Sequence, residues 1–221
     1  MNFSAKNQFY ENELFLARIF KNSSNLGIGY EKLQIPSQLY DRIQSLKMPE
    51  ILNEEDCYGR EEIINCAKLG QNRRPNQYIP KHNTKLYSFK SPNLVLESIQ
   101  KYLKPILEDW VNVPMNPESL KVHGIRRYLR NAKVFPHTDA NVSHIFGAIL
   151  QVDQKVKEDW PICMIGRKQE YNCIILHPGE MLIYESSTII HFRHFPLKGD
   201  YYDNLMVHYA PLQIQKINNE L

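Results

Sequence analysis

Much that would assign this chain at once is missing. Its four cysteines, at positions 57, 66, 163 and 173, form no CxxC pair. They are too few and too far apart for a small secreted disulfide scaffold, so the expectation is four reduced thiols in a cytosolic protein. No run of about 18 apolar residues marks a membrane span. The opening residues Met1-Asn2-Phe3-Ser4-Ala5-Lys6 lack the basic region and unbroken apolar stretch of a secretory signal, which again points to the cytoplasm and to no membrane partner. There is no fixed-period repeat, low-complexity tract or Gly/Ser linker. Neither sign of charge dominates, since 27 basic and 24 acidic residues leave a net charge of +3. They are mixed along the chain, whereas a nucleic-acid binder concentrates its excess on one face. The basic pairs Arg73-Arg74 and Arg126-Arg127 have no array of stacking aromatics beside them, so they read as solvated surface and no nucleic-acid partner is expected. Coiled-coil heptads are absent too, which leaves a monomer as the default.

What is present suits a single domain over residues 1–221, of which 43% are hydrophobic. The pattern divides it into a mainly helical support region, 1–119, and a β-rich region, 120–211. In the first, Pro36 opens a segment with Leu39, Ile43 and Leu46 at helical spacing. A second helix starts at Ser91-Pro92, an N-cap followed by proline at the first helical position. It carries Leu96, Ile99, Leu103, Ile106 and Trp110 along one stripe, with a kink at Pro105. Residues 71–88, rich in proline and asparagine and without periodicity, read as an irregular surface segment able to cover a site. Short β-like runs follow at 124–129, 133–139, 144–152, 172–176, 181–184 and 203–209, as in an antiparallel sandwich or barrel. His177-Pro178-Gly179-Glu180 makes a hairpin turn between two of them. The helices then pack on the outside of an all-β core, an α+β architecture.

The chemistry centres on Phe135-Pro136-His137-Thr138-Asp139. On a strand, His137 and Asp139 point to the same face because side chains alternate with period two. A third ligand from a distant strand would complete the facial two-histidine, one-carboxylate set that suits non-haem iron(II) and leaves coordination positions open. His191, 54 residues beyond His137, follows a strand, a Pro-Gly turn and a second strand, a path that returns it across the barrel mouth. His194, three residues on, is the alternative ligand. An HxD triplet standing alone more often marks a hydrogen-bonded surface pair. His144, His177 and His208 read as structural or exposed residues.

The surrounding motifs run in order: Gly124-Ile-Arg-Arg-Tyr128, Pro136-His137-Thr-Asp139, Val152-Asp-Gln, Asp159-Trp-Pro161, Pro178-Gly-Glu, Tyr184-Glu-Ser186, His191-Phe-Arg193, Phe195-Pro-Leu-Lys-Gly-Asp200 and Val207-His-Tyr. Across about residues 120–211, and more faintly in Pro105-Ile-Leu-Glu-Asp-Trp110, the chain resembles the prolyl 4-hydroxylase-like 2-oxoglutarate/Fe(II) dioxygenases. The resemblance implies a double-stranded β-helix (jelly-roll) core, iron held by His137, Asp139 and His191, and 2-oxoglutarate chelating the iron. It puts Tyr128 at the position of a tyrosine that helps hold the far carboxylate of the cosubstrate. That carboxylate also needs a cation. Collagen-type relatives use a lysine ten residues after the distal histidine, where this chain has Tyr201. The candidates here are Arg193, whose guanidinium can grip a carboxylate bidentately, Lys198 and Arg126.

Two further departures, Ala140 after the aspartate and Phe192 after the distal histidine, separate the substrate pocket from that of many relatives. Asp139 itself favours hydroxylation, because halogenating relatives replace that carboxylate. The reaction so implied consumes O2 and 2-oxoglutarate, releases succinate and CO2, and hydroxylates an unactivated C–H bond, with ascorbate a candidate reductant. Its substrate would be a prolyl residue of a peptide or protein, or a free amino acid. Two rivals stand beside this reading: a non-catalytic jelly-roll scaffold that retains a metal site, and a zinc hydrolase, for which the chain lacks an HExxH-type base.

Overall fold

The computed structural model describes residues 27–53, 84–140 and 143–214. The chain runs through β1 (Tyr30–Gln34), α1 (Ser37–Leu46), β2 (Lys47–Asn53), β3 (Thr84–Phe89), α2 (Pro92–Tyr102), α3 (Lys104–Val111) and a 3-10 turn at Pro117–Ser119. There follow β4 (Lys121–Leu129), β5 (Val134–His137), β6 (Phe146–Val156), β7 (Ile162–Ile165), β8 (Tyr171–Ile174), β9 (Glu180–Tyr184), β10 (Ile190–Arg193) and β11 (Gly199–Tyr209). Cys57, Cys66 and Arg73-Arg74 lie outside the described residues, as does most of the expected irregular segment. From Thr84 onward that segment is the strand β3, paired with β4. No described helix is long and apolar enough to cross a membrane.

Two antiparallel sheets form a jelly roll. The larger has the order β1-β9-β6-β11-β4-β3-β2 and the smaller β5-β10-β7-β8. The region before residue 120, expected to be mainly helical, contributes three strands to the large sheet as well as helices. Period-two alternation explains the central strand. Phe146, Ala148, Leu150 and Val152 of β6 face the helices, while Ile149 faces the smaller sheet. The run 146–152 is buried throughout, as a strand covered on both faces must be.

The helices pack on the outer face of the large sheet through one cluster that joins Leu39 and Ile43 of α1, Ile99 of α2 and Leu107 of α3 to Phe146 and Leu205. Pro105 interrupts the long helix as expected. Leu103 ends α2 and precedes α3, and the proline sits in the first turn of α3, where its missing N–H costs nothing. The buried stripe runs through the break as Val95, Ile99, Leu103, Leu107 and Trp110, while Leu96 and Ile106 are only half-buried. Ser91 precedes α2 but makes no side-chain capping bond.

The expectation of four free thiols is corrected at two of them. β7 pairs with β8 so that Cys163 and Cys173 are directly opposite, and a disulfide joins them. Cysteine spacing alone could not reveal this pairing, because the bond is set by strand register. Between the sheets lie two smaller apolar clusters, one including Ile149, Ile162, Met164, Leu182 and Tyr184 and the other Tyr128, Val134, Trp160 and Tyr202. The candidate site opens between these clusters.

Candidate active site

His137 ends β5, and the pairing of β5 with β10 sets it directly opposite His191. The two rings lie 4.2 Å apart between centroids. Each imidazole uses Nδ1 on the carbonyl two residues back in its own strand: His137 to Phe135 at 2.7 Å and His191 to Ile189 at 3.0 Å. A carbonyl oxygen only accepts, so each Nδ1 carries the proton and each Nε2 presents a lone pair. Both Nε2 atoms lie 3.7 Å from Oδ1 of Asp139. Asp139 stands just past the end of β5 and is anchored by its own N–H, which donates to the Ser186 carbonyl at 2.7 Å.

These three side chains are the group among the described residues able to hold a metal ion, with ligand atoms all within 4.8 Å of one another. Metal–nitrogen and metal–oxygen bonds of about 2.0–2.2 Å span at most about 4.4 Å across one ion, so a single ion reaches Asp139 and either histidine together. Backbone orientation of both imidazoles through their far nitrogens is the support that metal-ligating histidines require. On donor type, protonation state and separation, the trio fits a divalent transition metal.

The electrostatics agree. Burial alone would push the Asp139 carboxyl up, but His191, His208 and His137 around it prevail and hold it well below the usual carboxylate range. Burial, with His137 alongside, pushes His191 down to about 4, so at neutral pH its ring is uncharged and free to ligate. Burial and the adjacent Asp139 raise the Tyr184 phenol. It therefore stays a donor, and its hydroxyl reaches Oδ2 of Asp139 at 3.1 Å. His208 Nε2 meets the same oxygen at 3.1 Å.

The cavity beside the trio is lined by Tyr128, Arg126, Arg193, Asn204 and His144, among others. Arg193 lies on β10 beyond His191 and is 2% exposed. Its guanidinium is stacked between Trp160 and Tyr202, 4.4 and 4.6 Å from the ring centroids. It donates to the Trp160 carbonyl and to Asn204 Oδ1. Both acceptors are neutral, and among the described residues no carboxylate forms an ion pair with it. A buried cation held this way calls for an anion.

Lys198, the lysine among the candidates, is elsewhere. Its side chain is 60% exposed and pairs with Glu158 at 2.9 Å, so the structure removes it from the site. Lys198 lies in the loop between β10 and β11. His194 is exposed against Phe195, and it is His191 that the structure brings to His137 and Asp139. His177 is exposed in its turn. From the sequence His208 reads as structural and Tyr184 is not singled out, although both lie in the motifs quoted for the resemblance. Their partner, Asp139, is 69 and 45 residues away, and local spacing gives no sign of it. The same holds for Trp160, Tyr202 and Asn204 around Arg193.

No protein-family model and no curated protein matches the sequence. Solved structures do match. A Pseudomonas putida prolyl-4-hydroxylase superposes with a TM-score of 0.56 at 12% identity, covering 89% of this chain and 98% of that one. The fold is that of the prolyl hydroxylases. A Trichoplax adhaerens prolyl hydroxylase, solved with a hypoxia-inducible-factor oxygen degradation domain peptide, gives 0.53 at 10% identity over 95% of both chains. HygX from Streptomyces hygroscopicus, solved with nickel and 2-oxoglutarate, gives 0.50 at 13% identity over 84% of both. At such identities the prolyl hydroxylase likeness speaks for the fold alone, and function rests on the site.

Proposed function

We propose that this protein is an iron(II)- and 2-oxoglutarate-dependent oxygenase that hydroxylates an unactivated C–H bond, of a prolyl residue in a peptide or protein or of a free amino acid. The chain acts as one domain whose catalytic half is residues 120–211. The observation that carries the reading is the presence in one cavity of a metal-competent His137–Asp139–His191 trio and a buried guanidinium, Arg193, with only neutral partners. When bound, iron with 2-oxoglutarate and O2 supplies the oxidant, one oxygen atom going into succinate as CO2 leaves and the other into the substrate.

The protein's own residues do the rest. His137, Asp139 and His191 hold the ion and leave neighbouring positions open for a 2-oxo acid. Arg193 takes the far carboxylate of the cosubstrate as a charge-assisted, forked contact, oriented by its stack between Trp160 and Tyr202. Tyr128, buried against Trp160 with ring centroids 5.1 Å apart, adds a hydroxyl on the same wall. Arg126 lines the cavity as a second cation. Apolar Ile149, Ile162 and Val134 exclude water from the space between. A peptide substrate is supported by the likeness to prolyl hydroxylases, one of them solved with a peptide.

The test is anaerobic addition of iron(II) and then 2-oxoglutarate to the purified protein, with His191→Ala and Asp139→Ala alongside. A visible charge-transfer band in the wild type that is lost in both variants is the expected result, followed by mass spectrometry of candidate peptides and amino acids for the gain of one oxygen atom. A wild type that binds neither iron nor 2-oxoglutarate ends the oxygenase reading in favour of a scaffold domain.

A further inference from the structure

The two oxygens of Asp139 are treated differently. Oδ1 faces Nε2 of His137 and His191. Oδ2 is turned away from them and receives two bonds, one from the Tyr184 hydroxyl and one from His208 Nε2, both at 3.1 Å. Tyr184 is 1% and His208 5% exposed, so neither bond competes with bulk water. The two residues come from different strands, β9 and β11, on either side of β6. Both are register partners of one residue, Gly147.

That glycine is a condition of the arrangement. A Cβ at position 147 would stand 3.0 Å from His208 Cδ2 and 3.0 Å from Tyr184 Cε1, tighter than side chains normally tolerate. Its φ is not in the left-handed region, so backbone freedom is not what the position needs. The missing side chain lets the phenol and the imidazole close over β6 from both sides and meet on one carboxylate oxygen. The N–H of Asp139, bound to the Ser186 carbonyl at 2.7 Å, fixes the third point.

Resting on the oxygenase reading above, we infer that Tyr184 and His208 are positioning residues that occupy Asp139 Oδ2, so that the carboxylate offers iron one oxygen only and the remaining positions stay open for the cosubstrate. The physical reason is competition for lone pairs. An aspartate with both oxygens free can close on a metal through both, whereas an oxygen committed to two buried donors is held out of that contact. His208 must act through Nε2–H, because the carboxylate only accepts. A side chain that restores a donor at that point should therefore replace it.

The test compares wild type with Tyr184→Phe, His208→Leu, His208→Gln and the double variant Tyr184→Phe/His208→Leu. Iron(II) affinity, 2-oxoglutarate affinity at saturating iron and the charge-transfer band are measured, with circular dichroism and Tm as controls on folding. The expected outcome is a fall in 2-oxoglutarate affinity at saturating iron of about tenfold for Tyr184→Phe or His208→Leu and about a hundredfold for the pair, with iron affinity kept or raised because the freed Oδ2 can close on the ion. The band should weaken as 2-oxoglutarate binding falls, and His208→Gln should restore most of both because its amide presents an N–H in place of Nε2. Folded variants that bind iron and 2-oxoglutarate as the wild type does would overturn the inference while leaving the oxygenase reading intact. So would a His208→Gln variant as metal-free as His191→Ala, which would make His208 itself a ligand. A wild type that binds no iron removes both.

Discussion

At the scale of single residues, the candidate site divides into what local spacing can show and what it cannot. His137 and Asp139 are two apart, so the sequence already brings them together, and the register of β5 against β10 adds His191. The cation opposite them is a harder choice, since Arg193 and Lys198 both closely follow His191 in sequence and Arg126 precedes His137, and it is burial that separates Arg193 from Lys198. Arg193 is enclosed between aromatic rings with neutral hydrogen-bond partners, whereas Lys198 is neutralised by Glu158 in solvent. A charge-assisted contact to a carboxylate contributes about 1.5–3 kcal/mol, a factor of about 10–100 in affinity. Arg193→Met should therefore raise the Kd for 2-oxoglutarate by about that factor with iron affinity little changed, and Lys198→Ala should change neither. Titration of the anaerobic iron complex with 2-oxoglutarate reads both. Equal effects at the two positions would return the assignment to an open question between them. The Tyr184 and His208 contacts escaped the sequence for a simple reason: each donor lies on a strand far in sequence from Asp139, and no periodicity links residues that meet only when a sheet folds.

At the scale of elements, the strands that were legible are those with long alternation or a strong turn beside them. The runs at 146–156 and 180–184, and the hairpin turn ahead of the second, are of this kind. β1, β2 and β3 were not legible, because β1 and β2 are the edge strands of the large sheet and β1 and β3 are specified by distant partners, β9 and β4. β7 was missed for the opposite reason. Ile162-Cys163-Met164-Ile165 is a continuous apolar run of four residues, too short for any period to show. This strand is tied to the edge strand β8 by Cys163–Cys173 and to β10 by the pairs Met164 to His191 and Cys163 to Phe192. The disulfide thus steadies the strand on which His191 leans. For a loop of ten residues the chain-entropy contribution is about 2–3 kcal/mol, equivalent to about 5–10 °C in Tm for a domain of this size. Cys173→Ser, or reduction with dithiothreitol, should lower Tm by that amount, and adding reductant to the variant should do nothing more. A Tm insensitive to both would show that β8 is held by its backbone ladder alone.

At the scale of the whole molecule, the two cores have different chemistry and respond differently to acid. The helix-covered side of the large sheet is apolar. The space between the sheets encloses ionisable rings, and two of them, His144 and His191, are pushed down to about 4, by burial first and then by the neighbouring His208 and His137 respectively. An unfolded histidine titrates near 6.5, so between about 6.5 and 4 the unfolded chain binds protons that the folded protein refuses. Stability then falls with falling pH across that window, with a slope of at most about 1.4 kcal/mol per pH unit for each imidazole. The contribution is fully present above the unfolded value and lost as pH drops through the folded one. Thermal melts of chelator-treated protein from pH 7.5 to 4.5 should show Tm descending mainly below pH 6.5, and His144→Gln should flatten the descent. Iron held by the proposed trio would bind only the folded state and need His191 neutral, so it should raise Tm by mass action while protons compete with it for the same nitrogen. The increment in Tm from iron should therefore shrink as pH falls, more steeply than the melt of His144→Gln without iron. A constant increment from pH 7.5 to 4.5 would place the ion somewhere other than on the buried imidazoles.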